Sequence, residues 1–251
     1  MDRLLYIAMT GAKEMTLAQM NAANNLANVS STGFKADLAQ TRAMPIFGAG
    51  LPSRVFAMTE RSATNFNPGS VYTTDNDYDI AIKGPGFLTV QDGEVAQGGE
   101  ASEAYTRAGS LGVSGAGFLA TADGKLVLGN GGPVQIPANE KLDIGTDGTI
   151  SIRPLGAPAS AVVVLDRLRL VNPNLANLRK GDDGLFRQKD GTPALPDGAV
   201  QIQQGALEAS NVIAVEELTE IISLSRQFEM NVKLMHISEQ VDTSLERLMQ
   251  V

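Results

Sequence analysis

Residues 4–29 read LLYIAMTGAKEMTLAQMNAANNLANV, a run with no proline and with Gly11 as its one glycine. Glycine costs a helix interior about 1 kcal/mol and proline about 3 kcal/mol relative to alanine, so so clean a run reads as a helix. Within it Leu5, Ala8, Ala12, Met15, Gln19, Ala22, Leu26 and Val29 recur at alternating steps of three and four, the spacing of a coiled-coil seam with one polar entry. Leu4, Gly11 and Ala18 widen the stripe. The other end of the chain repeats the pattern. No glycine follows Gly205 and no proline follows Pro196. Leu218, Ile221, Ser225, Phe228, Val232 and Met235 carry the same steps before the stripe slips onto Leu234, Ile237, Val241, Leu245 and Leu248. All 11 prolines lie between Pro45 and Pro196, so two terminal helices flank a turn-rich middle. The expected class is α+β: long N- and C-terminal helices forming an antiparallel coiled-coil-like domain, with a central, mainly antiparallel β domain.

The middle is punctuated by Asp-Gly dipeptides at Asp92-Gly93, Asp123-Gly124, Asp147-Gly148, Asp183-Gly184, Asp190-Gly191 and Asp197-Gly198. Asp-Gly supplies the positive φ angles of tight hairpin turns, which makes this region antiparallel β. Short strands fit at Asp79 to Ile82, Phe87 to Gln91, Lys125 to Leu128, Leu142 to Ile144, Thr149 to Ile152 and Val162 to Leu170. The stretch from Gly33 to Tyr78, with Gly48, Gly50, Pro52, Pro68 and Gly69, has weak periodicity and reads as an extended connector or long hairpin. The expected organisation is a helix over 1–32, a connector over 33–78, a β-rich domain over 79–205 and a second helix over 206–251.

Composition narrows the function. The 251 residues are 43% hydrophobic and 19% charged, enough for one domain of moderate size with helical extensions. A net charge of −8 works against sequence-independent binding to nucleic acid or to an anionic membrane, both of which need clustered Lys and Arg. No apolar run reaches the roughly 18 residues of a spanning helix, and the first residues lack the apolar core of a cleaved export signal. With no cysteine, disulfides and thiolate metal sites are excluded. Asp75, Asp77 and Asp79 have the opening spacing of a calcium loop, but Ile80 stands where its glycine belongs and Gly86 where its bidentate glutamate belongs. Gly115-Ala116-Gly117-Phe118-Leu119-Ala120 matches a loose dinucleotide pattern, yet Thr121-Ala122-Asp123-Gly124 follows where a helix must start. His236 is the sole histidine, which leaves no histidine triad or multi-histidine metal site. No catalytic residue, metal or cofactor is expected.

Several segments together resemble a known family. Asn24-Asn25-Leu26-Ala27-Asn28-Val29, continuing through Ser31-Thr32-Gly33-Phe34-Lys35, is similar to the N-terminal signature of flagellar rod and hook axial proteins. Glu208-Ala209-Ser210-Asn211-Val212, Glu216-Glu217 and Ser225-Arg226-Gln227-Phe228-Glu229-Met230-Asn231 resemble the C-terminal one. Tyr78-Asp79-Ile80-Ala81-Ile82-Lys83-Gly84-Pro85-Gly86-Phe87 and Tyr105-Thr106-Arg107-Ala108-Gly109 resemble the segment that rod and hook subunits share. The opening Met1 to Ala12 and the chain length are closer to proximal-rod members, and Phe228 and Met230, which depart from the distal-rod pattern, point the same way.

The resemblance implies a non-enzymatic building block of the periplasmic drive shaft. It would pack with other rod proteins and with copies of itself, and be exported by the flagellar type III apparatus without cleavage. The expected helix-packing and assembly residues are Leu5, Ala8, Ala12, Met15, Ala22, Asn25, Leu26, Asn28, Val29, Leu218, Ile221, Phe228, Val232, Met235, Val241 and Leu248. Asn21, Asn25 and Asn28 form a polar ladder suited to fixing register between neighbouring subunits. Gly33 suits a left-handed exit from the first helix, with Phe34 packing back on it. The alternatives are a distal-rod or hook-family subunit, or, in another class, a β-rich periplasmic binding module or enzyme with helical appendages.

Overall fold

The computed structural model describes residues 4–45, 55–59, 63–95, 101–156, 158 and 161–249. The expected features at Gly48, Gly50 and Pro52 and the opening residues Met1 to Arg3 lie outside them. The chain divides into two units, one of residues 1–29, 35–65 and 212–251, the other of residues 30–34 and 66–211.

The first unit contains helix α1 (Leu4–Ala27), strands β1 (Asp37–Leu38), β2 (Thr41–Pro45), β3 (Val55–Thr59) and β4 (Ala63–Thr64), and helix α2 (Ala214–Met249). Strands β2 and β3 form an antiparallel ribbon from Thr41 opposite Thr59 to Pro45 opposite Val55, and β1 pairs with β4. Strand β3 lies against α1. The two helices run antiparallel: Gly11 of α1 meets the side chain of Asn231, and Asn25, further along, bonds to Glu217. At its C-terminus α1 closes through the Asn28 amide, which donates to the carbonyls of Asn24 (3.2 Å) and Asn25 (3.0 Å). Helix α2 has Glu216 and Glu217 in its first turn and Arg247 in its last, each sign favourable to the helix dipole.

The α+β class stands, but the coiled-coil pairing expected from the heptad spacing does not. Leu5, Leu218, Phe228 and Val241, all assigned to the seam, are exposed. The face of α2 that is turned inward carries Glu217, Ile221, Leu224, Asn231, Met235 and Ser238, half of it polar. On α1 the buried residues are mainly small, namely Ala8, Ala12 and Ala22, together with Glu14 and Asn25. A coiled coil needs large apolar knobs at the seam positions. Here small residues let the helices approach, and apolar side chains lie all round α2, so the spacing finds Ile221, Val232 and Met235 on the inner face but misplaces Leu218, Phe228 and Val241.

The second unit contains sixteen strands among the described residues. In chain order these are β5 (Val71–Thr73), β6 (Ile80–Lys83), β7 (Phe87–Val95), β8 (Ala101–Thr106), β9 (Leu111–Val113), β10 (Leu119–Thr121), β11 (Leu128–Gly129) and β12 (Gly132–Pro133). They continue with β13 (Asn139–Ile144), β14 (Thr149–Pro154), β15 (Val163–Arg167), β16 (Leu170–Val171), β17 (Leu178–Lys180), β18 (Phe186–Gln188), β19 (Gln201–Gln204) and β20 (Ala206–Glu208). The largest sheet has the order β16-β7-β8-β18-β17; β13-β14-β15 forms a second, and β9-β10, β11-β12, β6-β19 and β5-β20 are ribbons. Every one of these pairings is antiparallel.

The alternation of side chains explains how these short strands share a core. In β14, Ile150 and Ile152 point inward and are buried, as are Leu142 and Ile144 of β13 opposite them. They join Ile80, Leu88, Val90, Leu119, Val127, Leu168 and Ile202 in one apolar cluster. Burying each side chain of this kind contributes about 1.5–3 kcal/mol. A second cluster gathers Phe87, Tyr105, Val171 and Phe186, with the Phe66 ring edge-on to Phe87 at 6.2 Å. Four of the Asp-Gly glycines have positive φ: Gly124 (77°), Gly148 (86°), Gly184 (76°) and Gly191 (67°). Asp92-Gly93 instead lies inside β7, where the ladder with β8 shifts between Gln91 and Val95.

One sheet edge is closed by a side chain. The Gln204 amide Nε2 donates to the carbonyl of Leu142 (3.1 Å), and its Oε1 accepts from the amide of Ile144 (3.2 Å), as a neighbouring strand would. The same Nε2 also donates to the carbonyl of Asp77 (2.8 Å).

Candidate assembly site

In the first unit the expected assembly residues divide between an inner and an outer face. Ala8, Ala12, Ala22 and Asn25 are buried; Met15, Leu26, Asn28, Val29, Ile221, Val232 and Met235 are half-buried; Leu5, Leu218, Phe228 and Val241 are exposed. The side chain of Leu248 lies outside the described residues. Asn25 is 3% exposed, and its hydrogen bonds are made within the chain. Its Nδ2 donates to the carbonyl of Asp37 (2.9 Å) and to Glu217 Oε1 (3.0 Å), and its Oδ1 accepts from the amide of Asp37 (2.9 Å). It therefore fixes the register of α1, β1 and α2 with one another. Asn28 turns back to donate to the carbonyl of Asn24 (3.0 Å).

Glu217 pays electrostatically for this position. Burial pushes its carboxyl above the ordinary glutamate value, the Asn25 bond pulls it part of the way back, and Glu220 and Glu216 push it up again. Outside the expected stripe, Tyr6, Met9 and Met20 of α1 and Ile222, Met230, Leu234, Ile237 and Leu245 of α2 are also exposed. Beyond Ser238 the described side chains of α2 are exposed except for the half-buried Asp242.

In the second unit the motif segments converge on one buried ion pair. Arg107, just after β8, places Nη1 2.9 Å from Glu208 Oε2 in β20, and both side chains are almost wholly buried. Arg107 Nη2 donates to the carbonyl of Gly84 (2.6 Å), and its guanidinium lies 5.4 Å from the centre of the Phe87 ring. Glu208 Oε1 accepts from the amide of Gly69 (2.9 Å), and its main-chain oxygen accepts from the amide of Gly33 (2.7 Å). Gly33 has φ +68°, and a Cβ there would collide with the main chain of Arg107 and Ala108. The Phe34 ring has Lys180 Nζ over it at 3.8 Å. Nothing in the sequence spacing announces the Arg107–Glu208 pair; each residue is visible only as one charge inside a motif segment.

Two further polar groupings are structural. Arg187 bonds through Nε to Asp92 and through Nη1 and Nη2 to Asp183 (3.0 and 2.7 Å), tying two Asp-Gly segments together. Those bonds raise the Arg187 pKa and hold the Asp183 carboxyl below its ordinary range. A shallow groove lined by Gln91, Glu103, Leu128, Asn130, Pro133 and Arg169 holds the Glu103–Arg169 ion pair (2.8 Å), with no nucleophile beside a base among its lining residues. Near Asp75, the Asn76 side chain accepts from the amide of Tyr78, and Asp79 is buried.

Comparison with known proteins adds the family context. The model described as flagellar hook protein FlgE/F/G D1 domain matches residues 81–152, and that described as flagellar basal body rod FlgEFG protein C-terminal matches residues 203–248. The flagellar basal-body rod protein FlgF of Escherichia coli is 35% identical over 240 residues, covering 93% of each chain. That of Caulobacter vibrioides is 34% identical over 257 residues, covering 99% of this chain and 98% of its own. The flagellar basal-body rod protein FlgG of Buchnera aphidicola from Schizaphis graminum is 30% identical over 274 residues, covering 97% and 98%. The first matched segment contains Arg107 and the second contains Glu208.

Proposed function

The chain belongs to the family of flagellar basal-body rod proteins, of the FlgF type, and from that premise we propose that it enters the rod through the outward apolar faces of its two terminal helices. It is a structural subunit of the basal-body rod, not an enzyme, and it assembles with other rod proteins. The finer reading is a periplasmic shaft that carries torque, built from this chain, further copies of it and other rod proteins in a helical array. Export of the subunit through the flagellar type III apparatus, without a cleaved leader, belongs to the same reading.

The observation that supports it is the exposure of Leu234, Ile237, Val241 and Leu245, which recur at steps of three and four along α2, with Leu5, Tyr6 and Met9 on α1. Contiguous exposed apolar surface marks an interaction site, and covering each such side chain contributes up to about 1.5–3 kcal/mol. Several neighbours in a bundle supply that cover, whereas the isolated chain leaves it in water.

Val241→Asp tests the proposal. Val241 is 52% exposed, so the substitution leaves the folded monomer intact and places a charge only where a neighbour is to pack. In a strain lacking the native chain, the variant is expected to be exported, to melt at the native temperature and to fail to restore rods or swimming. Swimming at the native rate would remove the α2 face from the assembly.

A further inference from the structure

We propose that the buried Arg107–Glu208 pair is a positioning clamp. It holds the two peptides that leave the second unit for the helices, 31–34 and 208–211, side by side in one register, so that a load arriving along either is borne by both. The proposal rests on the rod-subunit reading and adds to it a residue pair outside the helices.

The geometry carries it. Glu208 is the meeting point of four chain segments. Its main-chain oxygen takes the Gly33 amide at 2.7 Å, its Oε1 takes the Gly69 amide at 2.9 Å, and its Oε2 takes Arg107 Nη1 at 2.9 Å. Arg107 adds a fifth attachment through the Gly84 carbonyl at 2.6 Å. The exit peptides are also bonded to each other a second time, by the Asn211 amide to the Phe34 carbonyl at 3.3 Å. No slack surrounds them. A Cβ on Gly33 would collide with the Arg107 main chain, and one on Gly69 with the carbonyl of Ala209.

Stability alone does not account for the pair. A buried ion pair is often matched or bettered in stability by apolar side chains of similar volume. Phe87, beside Arg107, already belongs to an apolar cluster that such side chains would extend. Arg107 Nε has no hydrogen-bond partner, so the site is not a fully satisfied network either. What the ionic groups provide, and apolar ones do not, is directional attachment to the Gly69 amide and the Gly84 carbonyl. Those bonds pin the strand whose main chain receives Gly33.

The test compares the full-length chain with the double variant Arg107→Met, Glu208→Leu. Amide hydrogen exchange is followed at Gly33 and Asn211 and, as reference, at Val90 and Ile150 in the core. In the double variant the melting temperature is expected to stay near native, while exchange at Gly33 and Asn211 accelerates ~10- to 100-fold, the range a hydrogen bond to a charged group protects. Exchange at Val90 and Ile150 is expected to be unchanged. Unchanged exchange at the exit peptides, or equal acceleration in the core, overturns the clamp.

Swimming of complemented cells gives the second readout. A strain deleted for the chain calibrates it: if the deletion swims, the rod-subunit reading fails. If the deletion does not swim but the double variant restores native swimming despite fast exchange at Gly33 and Asn211, that reading survives and the clamp is overturned. Loss of swimming with a native melting temperature and accelerated exit peptides in the double variant supports it.

Discussion

Gly109→Ala isolates one steric requirement of the second unit. Gly109 is buried next to Ile80, whose amide donates to the Gly109 carbonyl at 3.0 Å. A Cβ on Gly109 would lie 2.8 Å from the carbonyl carbon of Ile80 and nearer still to its oxygen, whereas ordinary contact begins at 3.4 Å. The obstacle is main chain, so no side chain can swing away; the two backbones must part by well over half an ångström, which breaks the hydrogen bond between them. Overpacking a core site costs about 1–3 kcal/mol and the lost bond about 1 kcal/mol, for a total of about 2–4 kcal/mol. For a unit of this size that lowers the melting temperature by roughly 5–15 °C. Gly112→Ala, three residues on in β9, is the control, because a Cβ there meets nothing within 4 Å. Replacing a strand glycine without strain stabilises by about 0.5 kcal/mol. Calorimetry of the purified chains, with tyrosine fluorescence following Tyr78 and Tyr105, measures both. Equal melting temperatures for the two variants would refute the claim that backbone proximity, and not glycine flexibility, dictates residue 109.

Two further substitutions probe the charged groups. Because the Glu217 carboxyl titrates above its ordinary value in the folded chain, the stability linked to it is fully present below the unfolded glutamate pKa and is lost as pH rises through the raised folded value; Glu217→Gln is expected to melt higher than the native chain at pH 7 and equally at pH 4, and a lower melting temperature at pH 7 would contradict this. Asp183 has the opposite sign: its lowered carboxyl, held chiefly by the Arg187 hydrogen bond, contributes stability above the unfolded aspartate pKa that is lost as pH falls through the folded value. Arg187→Gln is expected to lose about 1–3 kcal/mol in urea titration at pH 7, since it also strips the buried Asp92 of its guanidinium, and to flatten the acid limb of the stability profile; an acid limb identical to native would refute the assignment.

Local chemistry was written plainly enough in the sequence to place the helices and many turns. Excluding proline and most glycine from residues 4–29, together with apolar spacing of three and four, specifies α1, and the positive φ at Gly124, Gly148, Gly184 and Gly191 suits the Asp-Gly pairs themselves. Gly93 shows where the same dipeptide yields to context, since it sits inside β7 at the register shift between Gln91 and Val95 and makes no hairpin turn. The inner face of α2 was legible only in part, at Ile221, Val232 and Met235. Apolar side chains occur all round that helix, so Leu218 and Glu217 compete for one inward position, and the Asn25 hydrogen bond gives it to Glu217. Arg107 and Glu208 were hidden for a different reason: they are joined only by tertiary folding, and no periodicity links residues so far apart in the chain. The Lys180 ammonium over the Phe34 ring was likewise hidden, because the two residues meet only through tertiary folding.

The Gln204 amide that completes the edge of β13 bears on the subunit's life before assembly. An open strand edge is a template for any extended chain, and the danger grows with concentration. On the proposal that the apolar helix faces wait for neighbours, a strand open to addition would give copies a second, competing way to meet. By occupying the Leu142 carbonyl and the Ile144 amide with its own side chain, the molecule takes those two groups away from any added strand. One amide thus separates the surface left available for building from the surface kept shut.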